Sequence, residues 1–172
     1  MKKHNGMRPQ DVVILLKIIA KDDADTEWIM KDIAYELGIS NSEVSESLNR
    51  SVLAGLIASD KKRVMKSSLL EFLKFGLKYV YPQRPSALVR GVATAHSTLP
   101  LSEVIQSDEI YVWPYAEGTD RGFSIEPLHN NVPEAVLRDP LLHKLLALVD
   151  AIRLGNVREQ KMAIVELEKH FD

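Results

Sequence analysis

Between residues 41 and 63 lie the side chains best suited to chemistry, and the chemistry they suit is contact with another molecule. Ser42, Ser45, Glu46 and Asn49 recur at i, i+3, i+4 and i+7, so a helix over this stretch puts them on one face. That face is small and polar. Ser and Asn can donate to or accept from base edges in the major groove, and Glu can accept from the cytosine amino group. Lys61, Lys62 and Arg63 follow a dozen residues later as a cationic run, the residue type that meets backbone phosphates. A merely solvated helix face is the competing reading of the first group, and a solvated charge run that of the second.

The elements that must position these groups are legible at their ends. Ser40 with Glu43 three residues on predicts a capping box, and Gly55 a left-handed stop, so the helix spans about Asn41 to Ala54. Val44, Leu48 and Val52 form its inward stripe. Ahead of it Trp28, Ile29, Ile33, Ala34 and Leu37 form the apolar stripe of another helix, joined through the tight turn Gly38-Ile39-Ser40. Behind it, 56–58 and 64–65 read as the strands of a short hairpin turning at Asp60 to Lys62. Val12 to Ala20 is apolar but too short to span a bilayer and holds Lys17. It reads as a first helix starting near Pro9.

The run Ile33 to Ile57, with Leu37-Gly38-Ile39-Ser40, Val44-Ser45, Leu48-Asn49-Arg50 and Leu53-Ala54-Gly55-Leu56-Ile57, resembles the winged-helix core of MarR-type bacterial transcription regulators, and the resemblance covers residues 10 to about 80. It implies that 41–54 is a recognition helix and about 57–65 a wing. The DNA-binding expectation is then Asn41, Ser42, Ser45, Glu46, Asn49, Arg50, Lys61, Lys62 and Arg63. The wing is short for the family, and the helix holds one Arg and two Glu.

Charge sets a further condition. Residues 1–90 carry 15 Lys and Arg against 11 Asp and Glu, and residues 91–172 carry 7 against 13, so a net +4 half precedes a net −6 half. A monomer so weakly basic would bind DNA poorly, whereas a symmetric dimer doubles the phosphate contacts and presents two helices about one turn of DNA apart. A homodimer is therefore expected.

Ser68 and Glu71 form another capping box ahead of a broadly apolar helix to Val80, in which Gly76 suggests close approach of a second helix. Pro82-Gln83-Arg84-Pro85 cannot be helical and divides the chain into 1–81, the winged helix with its following helix, and 82–172, an assembly or partner-binding domain. The fold class expected is α+β, mostly α, with a small C-terminal α+β domain. There 86–100 is extended, and 110–113 and 122–126 read as a small hairpin. Asp139-Pro140 starts a helix that ends by Gly155 and is apolar nearly all round, which requires burial in its own domain or across a dimer seam. The 69–80 helix is the competing seam. A last helix covers about Val157 to His170.

This second half, through Arg84-Pro85, Arg90-Gly91, Thr94-Ala95-His96, Trp113-Pro114, Arg121-Gly122, Pro127-Leu128 and Asp150-Ala151-Ile152-Arg153, is similar to bacterial regulator-like partners of nucleotidyltransferase-type toxins. That similarity implies an antitoxin or autoregulator with a toxin protein as partner. Arg84, Arg90 and Arg121 could surround an anionic ligand or a partner's carboxylate, or make ordinary structural hydrogen bonds.

No spaced constellation organises His96, Glu117, Asp120, Glu126 and His129 into a catalytic or metal site, so no enzyme activity, cofactor or metal is expected. The chain has no cysteine, which is compatible with a reducing cytoplasm. The basic start, Met1 to Gly6, leads into no signal core, and no membrane association is expected. The reading at this stage is a cytoplasmic, homodimeric DNA-binding transcription regulator, with a winged-helix protein–protein adaptor as the alternative.

Overall fold

The computed structural model describes residues 5–172; the basic start, Met1 to His4, lies outside the described residues. The chain folds as a mostly helical α+β protein. The first helix, α1 (Pro9–Asp23), has proline at its start and is buried on every side from Asp11 to Ala20. A helix apolar all round needs neighbours all round. Here α2 (Met30–Leu37) and α3 (Asn41–Leu53) cover it on one hand and α7 (Pro140–Leu154) on the other.

Local signals set most of these ends. Gly38 closes α2 in the left-handed region at φ 64°, and its carbonyl accepts from Asn131 Nδ2 at 2.7 Å. Ser40 caps α3 by accepting from the Glu43 amide at 3.2 Å, and Gly55 turns the chain out at φ 75°. The reciprocal half of the capping box is missing, because the Glu43 carboxylate accepts from Gln10 Nε2 of α1 at 2.9 Å. Residues 57–64 form a small hairpin held by the single bridge Ile57–Val64 and by Ala58 N–H on Arg63 O at 2.8 Å.

The next helix departs from expectation. It starts at Lys66, not behind a Ser68 cap, because Met65 gives its amide to Leu56 O to close the hairpin and the chain enters α4 (Lys66–Phe75) directly. At Gly76 the helix breaks, and α5 (Leu77–Val80) follows. α7 packs on both helices that meet here, but the atoms nearest to Gly76 belong to Phe72 of α4. A Cβ there would lie 2.9 Å from the Phe72 ring, so the glycine admits a side chain of its own helix.

The expected hairpin of 110–113 with 122–126 is also corrected. β2 (Tyr111–Pro114) and β3 (Asp120–Ser124) run parallel, through Tyr111–Phe123 and Val112–Ser124. Both pair antiparallel with β1 (Leu88–Ala93), which lies inside the stretch expected only to be extended. All three strands therefore pair with one another in a small closed barrel. The reason is local. Pro114 has no N–H to continue a ladder, so residues 115–119 carry the chain across β1 at Gly91, which faces Pro114 on one side and Asp120 on the other. A Cβ on Gly118 would collide with the Gly91 carbonyl, so the crossing needs a bare backbone.

A buried polar cluster ties this barrel to α7. Thr94 Oγ1 and Trp113 Nε1 donate to Asp150 Oδ2 at 2.8 and 2.7 Å, and Arg153 Nη1 donates to Asp150 Oδ1 at 2.9 Å. Burial pushes the Asp150 carboxyl up, against the pull of Arg153, Thr94 and Trp113. His143 Nε2 donates to Ala93 O at 2.7 Å. Asp139 caps α7 by accepting from the Leu142 amide at 3.0 Å, as Asp139-Pro140 predicts.

α7 spends its apolar faces inside its own chain. Leu142, Leu145, Leu148 and Val149 are fully buried against α1, the helices after the hairpin, α6 (Val132–Val136) and α8 (Val157–Glu168). It offers no seam to a second copy. Pro82 to Pro85 runs extended between the halves, yet one hydrophobic cluster extends from Val12 to Phe171. Lys17 of α1 reinforces that continuity. Its ammonium meets Asp139 Oδ2 at 2.5 Å and Glu36 Oε2 at 2.6 Å, while Lys21 meets Glu36 Oε1 at 2.7 Å. Burial alone would push Lys17 down, but the two carboxylates hold it above its ordinary value. Glu36 is likewise opposed by desolvation and held low by Lys17 and Lys21.

Candidate nucleic-acid interface

α3 turns Val44, Ser47, Leu48 and Ser51 inward and leaves Asn41, Ser42, Glu46 and Asn49 exposed, with Ser45 half-buried among them. The spacing thus does bring these side chains onto one open face. Ser42 Oγ lies 3.2 Å from Ser40 Oγ in the cap. Leu53 at the end of the helix is 70% exposed, and Tyr35 on α2 is 82% exposed, so the surface is not uniformly polar.

Arg50 does not join that face. Its Nε and Nη2 donate to Asp11 Oδ2 and Oδ1 of α1 at 2.9 and 2.7 Å, a bidentate pair in which Asp11 is fully buried. The hydrogen bonds to Asp11 raise the guanidinium above its ordinary value. Asp11 also accepts from the Arg8 amide at 2.8 Å. This arginine therefore clamps α3 onto α1. Nearby, the Tyr81 hydroxyl is buried with no hydrogen-bond partner among the described residues, and burial with the Asp11 charge pushes it up to about 12.

The cations of the hairpin divide in the same way. Lys62 folds back, donating to Trp28 O at 3.1 Å with its ammonium 4.4 Å from the Trp28 ring centre. Asp60 accepts from the Lys62 and Arg63 amides at 2.9 and 3.4 Å. These backbone donors lower its pKa and shape a turn in which Lys61 takes φ 58°. Lys61 and Arg63 form no ion pair among the described residues. The surface thus holds Lys61, Lys62 and Arg63 against Glu43, Glu46 and Asp60, with no net charge.

The other candidate residues lie elsewhere. Arg90 and Arg121 are exposed and directly opposed on β1 and β3, an arrangement of like charges that costs stability unless an anion or water shares them. Arg84 stands in the extended run before β1. His96 is buried and donates through Nε2 to Glu109 O at 2.8 Å, leaving Nδ1 4.0 Å from Glu159 Oε1. The remaining acid and base residues are spread over two separate surface clefts, one bordered by His96 and Asp120 and one by Glu126 and His129, with Glu117 exposed outside both. Among the described residues no group of His, Cys, Asp and Glu could hold a metal ion, and no helix is long and apolar enough to cross a membrane.

Asp11 escaped sequence reasoning, and Asp150 and Arg153 entered it only as part of a resemblance, with no structural role assigned. A signal was there for the last two. Opposite charges at 150 and 153, one turn apart inside an otherwise apolar run, mark a pair destined for burial. No family profile, curated protein or solved structure matches the chain.

Proposed function

We propose that the chain is a cytoplasmic DNA-binding transcription regulator acting as a homodimer, with α2 and α3 as a helix-turn-helix and 57–64 as its wing. The observation that carries this reading is the open face of Asn41, Ser42, Ser45, Glu46 and Asn49, polar side chains on a capped helix followed by a hairpin whose Lys61 and Arg63 form no ion pair among the described residues. The base-reading duty falls on Asn49 and Ser45 and the phosphate duty on Lys61 and Arg63, with Arg50 reassigned to the clamp. Dimerisation runs through the exposed side of α4 and α5, where Phe75, Tyr79 and Val80 are 67, 73 and 54% exposed. An autoregulatory or antitoxin role, in which Arg90 and Arg121 receive a carboxylate of a toxin protein, extends the same reading.

Gel shifts on the DNA upstream of the chain's own gene, across a salt series, test it. Two free cations per protomer give a dimer roughly four phosphate contacts, hence a slope of log affinity against log salt of roughly −4. The second reading is an adaptor that uses the same surface for protein contact. Exposed Leu53 and Tyr35, the absence of net positive charge and the withdrawal of Arg50 favour it. An adaptor gives no specific shift at any salt.

A further inference from the structure

A cleft of about 440 Å³ opens where the start of α1, the segment after α5, the segment after β3 and α7 meet, within the size range of small-molecule sites. Its walls combine apolar surface from Pro9, Pro82, Pro127 and Leu128 with polar and charged residues, among them Arg8, Glu126 and Arg153. Besides the buried Tyr81 hydroxyl and the exposed Arg8 and Asn130 side chains, two of those groups are hydrogen-bond donors with no acceptor among the described residues. The Arg153 side chain is 5% exposed, and three of its bonds are spoken for: Nε to Tyr81 O at 3.1 Å, and Nη1 to Asp150 Oδ1 at 2.9 Å and Glu126 O at 3.4 Å. Nη2 makes no hydrogen bond among the described residues and is not sealed from solvent; the cleft is the space that Arg153 borders. His129 supplies the second donor. Its Nδ1 accepts from the Asn131 amide at 3.1 Å, which places the ring proton on Nε2. Burial pushes this histidine down, keeping it a neutral donor.

Nη2 is the one arm of this guanidinium left for a ligand, and a charged N–H donor bonds a carboxylate oxygen more strongly than it bonds a neutral acceptor. We infer that the cleft is a binding site for a small organic carboxylate whose apolar body lies against the prolines and Leu128 while its oxygens accept from Arg153 Nη2 and His129 Nε2. Neither α3 nor the hairpin contributes to the cleft, so the site stands whether or not the chain binds DNA.

The probe is phenylacetate, titrated into the ¹⁵N-labelled full chain with phenylacetamide and inorganic phosphate as controls. A fragment of about ten heavy atoms should bind on the order of millimolar. The expected result is saturable movement of the Arg153 Nε–H resonance and of the amides of 8, 10, 83 and 128–131, with phenylacetamide at least about tenfold weaker. Arg153→Gln would also unpair Asp150, so the decisive variant is Gln83→Trp, which fills the cleft from its half-buried rim and should weaken phenylacetate about tenfold while the rest of the spectrum holds. Equal binding of acid and amide overturns the assignment. So does equal movement with phosphate, which would leave a plain anion site, and so does binding that survives Gln83→Trp or shifts resonances elsewhere. No movement with millimolar phenylacetate overturns it as well.

Discussion

Replacing Arg50 with alanine separates the clamp from a phosphate contact. The guanidinium makes two hydrogen bonds to a carboxylate that is fully buried, and its own side chain is 10% exposed. Removing one partner of such a pair strands a charge and costs about 3–5 kcal/mol. Asp11 retains the Arg8 amide at 2.8 Å and sits in the first turn of α1, where the helix dipole favours an anion. The lower end, about 3 kcal/mol, is therefore expected. Against a total stability of about 5–15 kcal/mol this is a large share. At about 2–4 °C per kcal/mol for a chain of this size, the midpoint of thermal unfolding should fall by about 6–12 °C. Circular dichroism at 222 nm measures it. The pairing also makes a double-mutant claim: Asp11→Leu with Arg50→Met, which removes both charges, should be less destabilised than either single change, since no stranded charge remains. A midpoint for Arg50→Ala within about 2 °C of the wild type, together with a salt slope for DNA reduced by about 2 in the dimer, would refute the clamp and return Arg50 to the phosphate backbone.

Asn49→Ala should relax preference at one base pair by about 1–3 kcal/mol, read from selection on a randomised operator library, and an unchanged preference removes Asn49 from base readout. Lys61→Ala with Arg63→Ala should weaken all sequences alike and flatten the salt slope by roughly 4 in the dimer, whereas Lys62→Ala, whose ammonium is held on Trp28, should change the slope little; titrations at three salt concentrations decide. The Lys17–Glu36 contact has a pH signature. Glu36 is held below its ordinary 4.5, so its contribution is complete above pH 4.5 and disappears as pH falls through the folded value; Lys17 is held above 10.5, so its contribution is complete below pH 10.5 and disappears as pH rises through the folded value. Urea unfolding of Glu36→Gln should therefore differ from wild type at pH 7, by less than about 1 kcal/mol for a carboxylate one-third exposed, and converge with it in acid. Phe75→Asp with Tyr79→Asp should convert a dimer to monomer in light scattering while leaving the circular dichroism unchanged, and a surviving dimer moves the seam away from α4 and α5.

The readable parts of the fold were those decided within a few residues. Pro9, Gly38, Ser40, Gly55 and Asp139-Pro140 each fix a helix end through their own backbone or a neighbour three residues away, and each acts in the structure as its type dictates. The candidate face on α3 was legible for the same reason, being a matter of helical spacing. What sequence order hides is competition from distant groups. Glu43 belongs to Gln10 and Arg50 to Asp11, 33 and 39 residues away, and Ser68 loses its cap because the hairpin closes first. The parallel pairing of β2 and β3 depends on β1, a third strand separated from β2 by 17 residues, whose apolar residues have no clean helical period. The broad apolar surface of α7 showed that it must be buried but not by what.

The answer to that last question makes the order of synthesis matter. α1 is complete at Asp23, and the helix that covers its second side ends at Leu154, so most of the chain must emerge before the first apolar helix is enclosed. At about 5–20 residues per second this leaves a largely apolar segment half-covered for roughly 7 to 26 seconds. Contacts so distant in sequence raise the contact order and slow folding beyond what a helical protein usually shows. The nascent chain is therefore a natural client for a chaperone that holds α1, and a truncation before α7 should yield aggregates, with no free-standing N-terminal half.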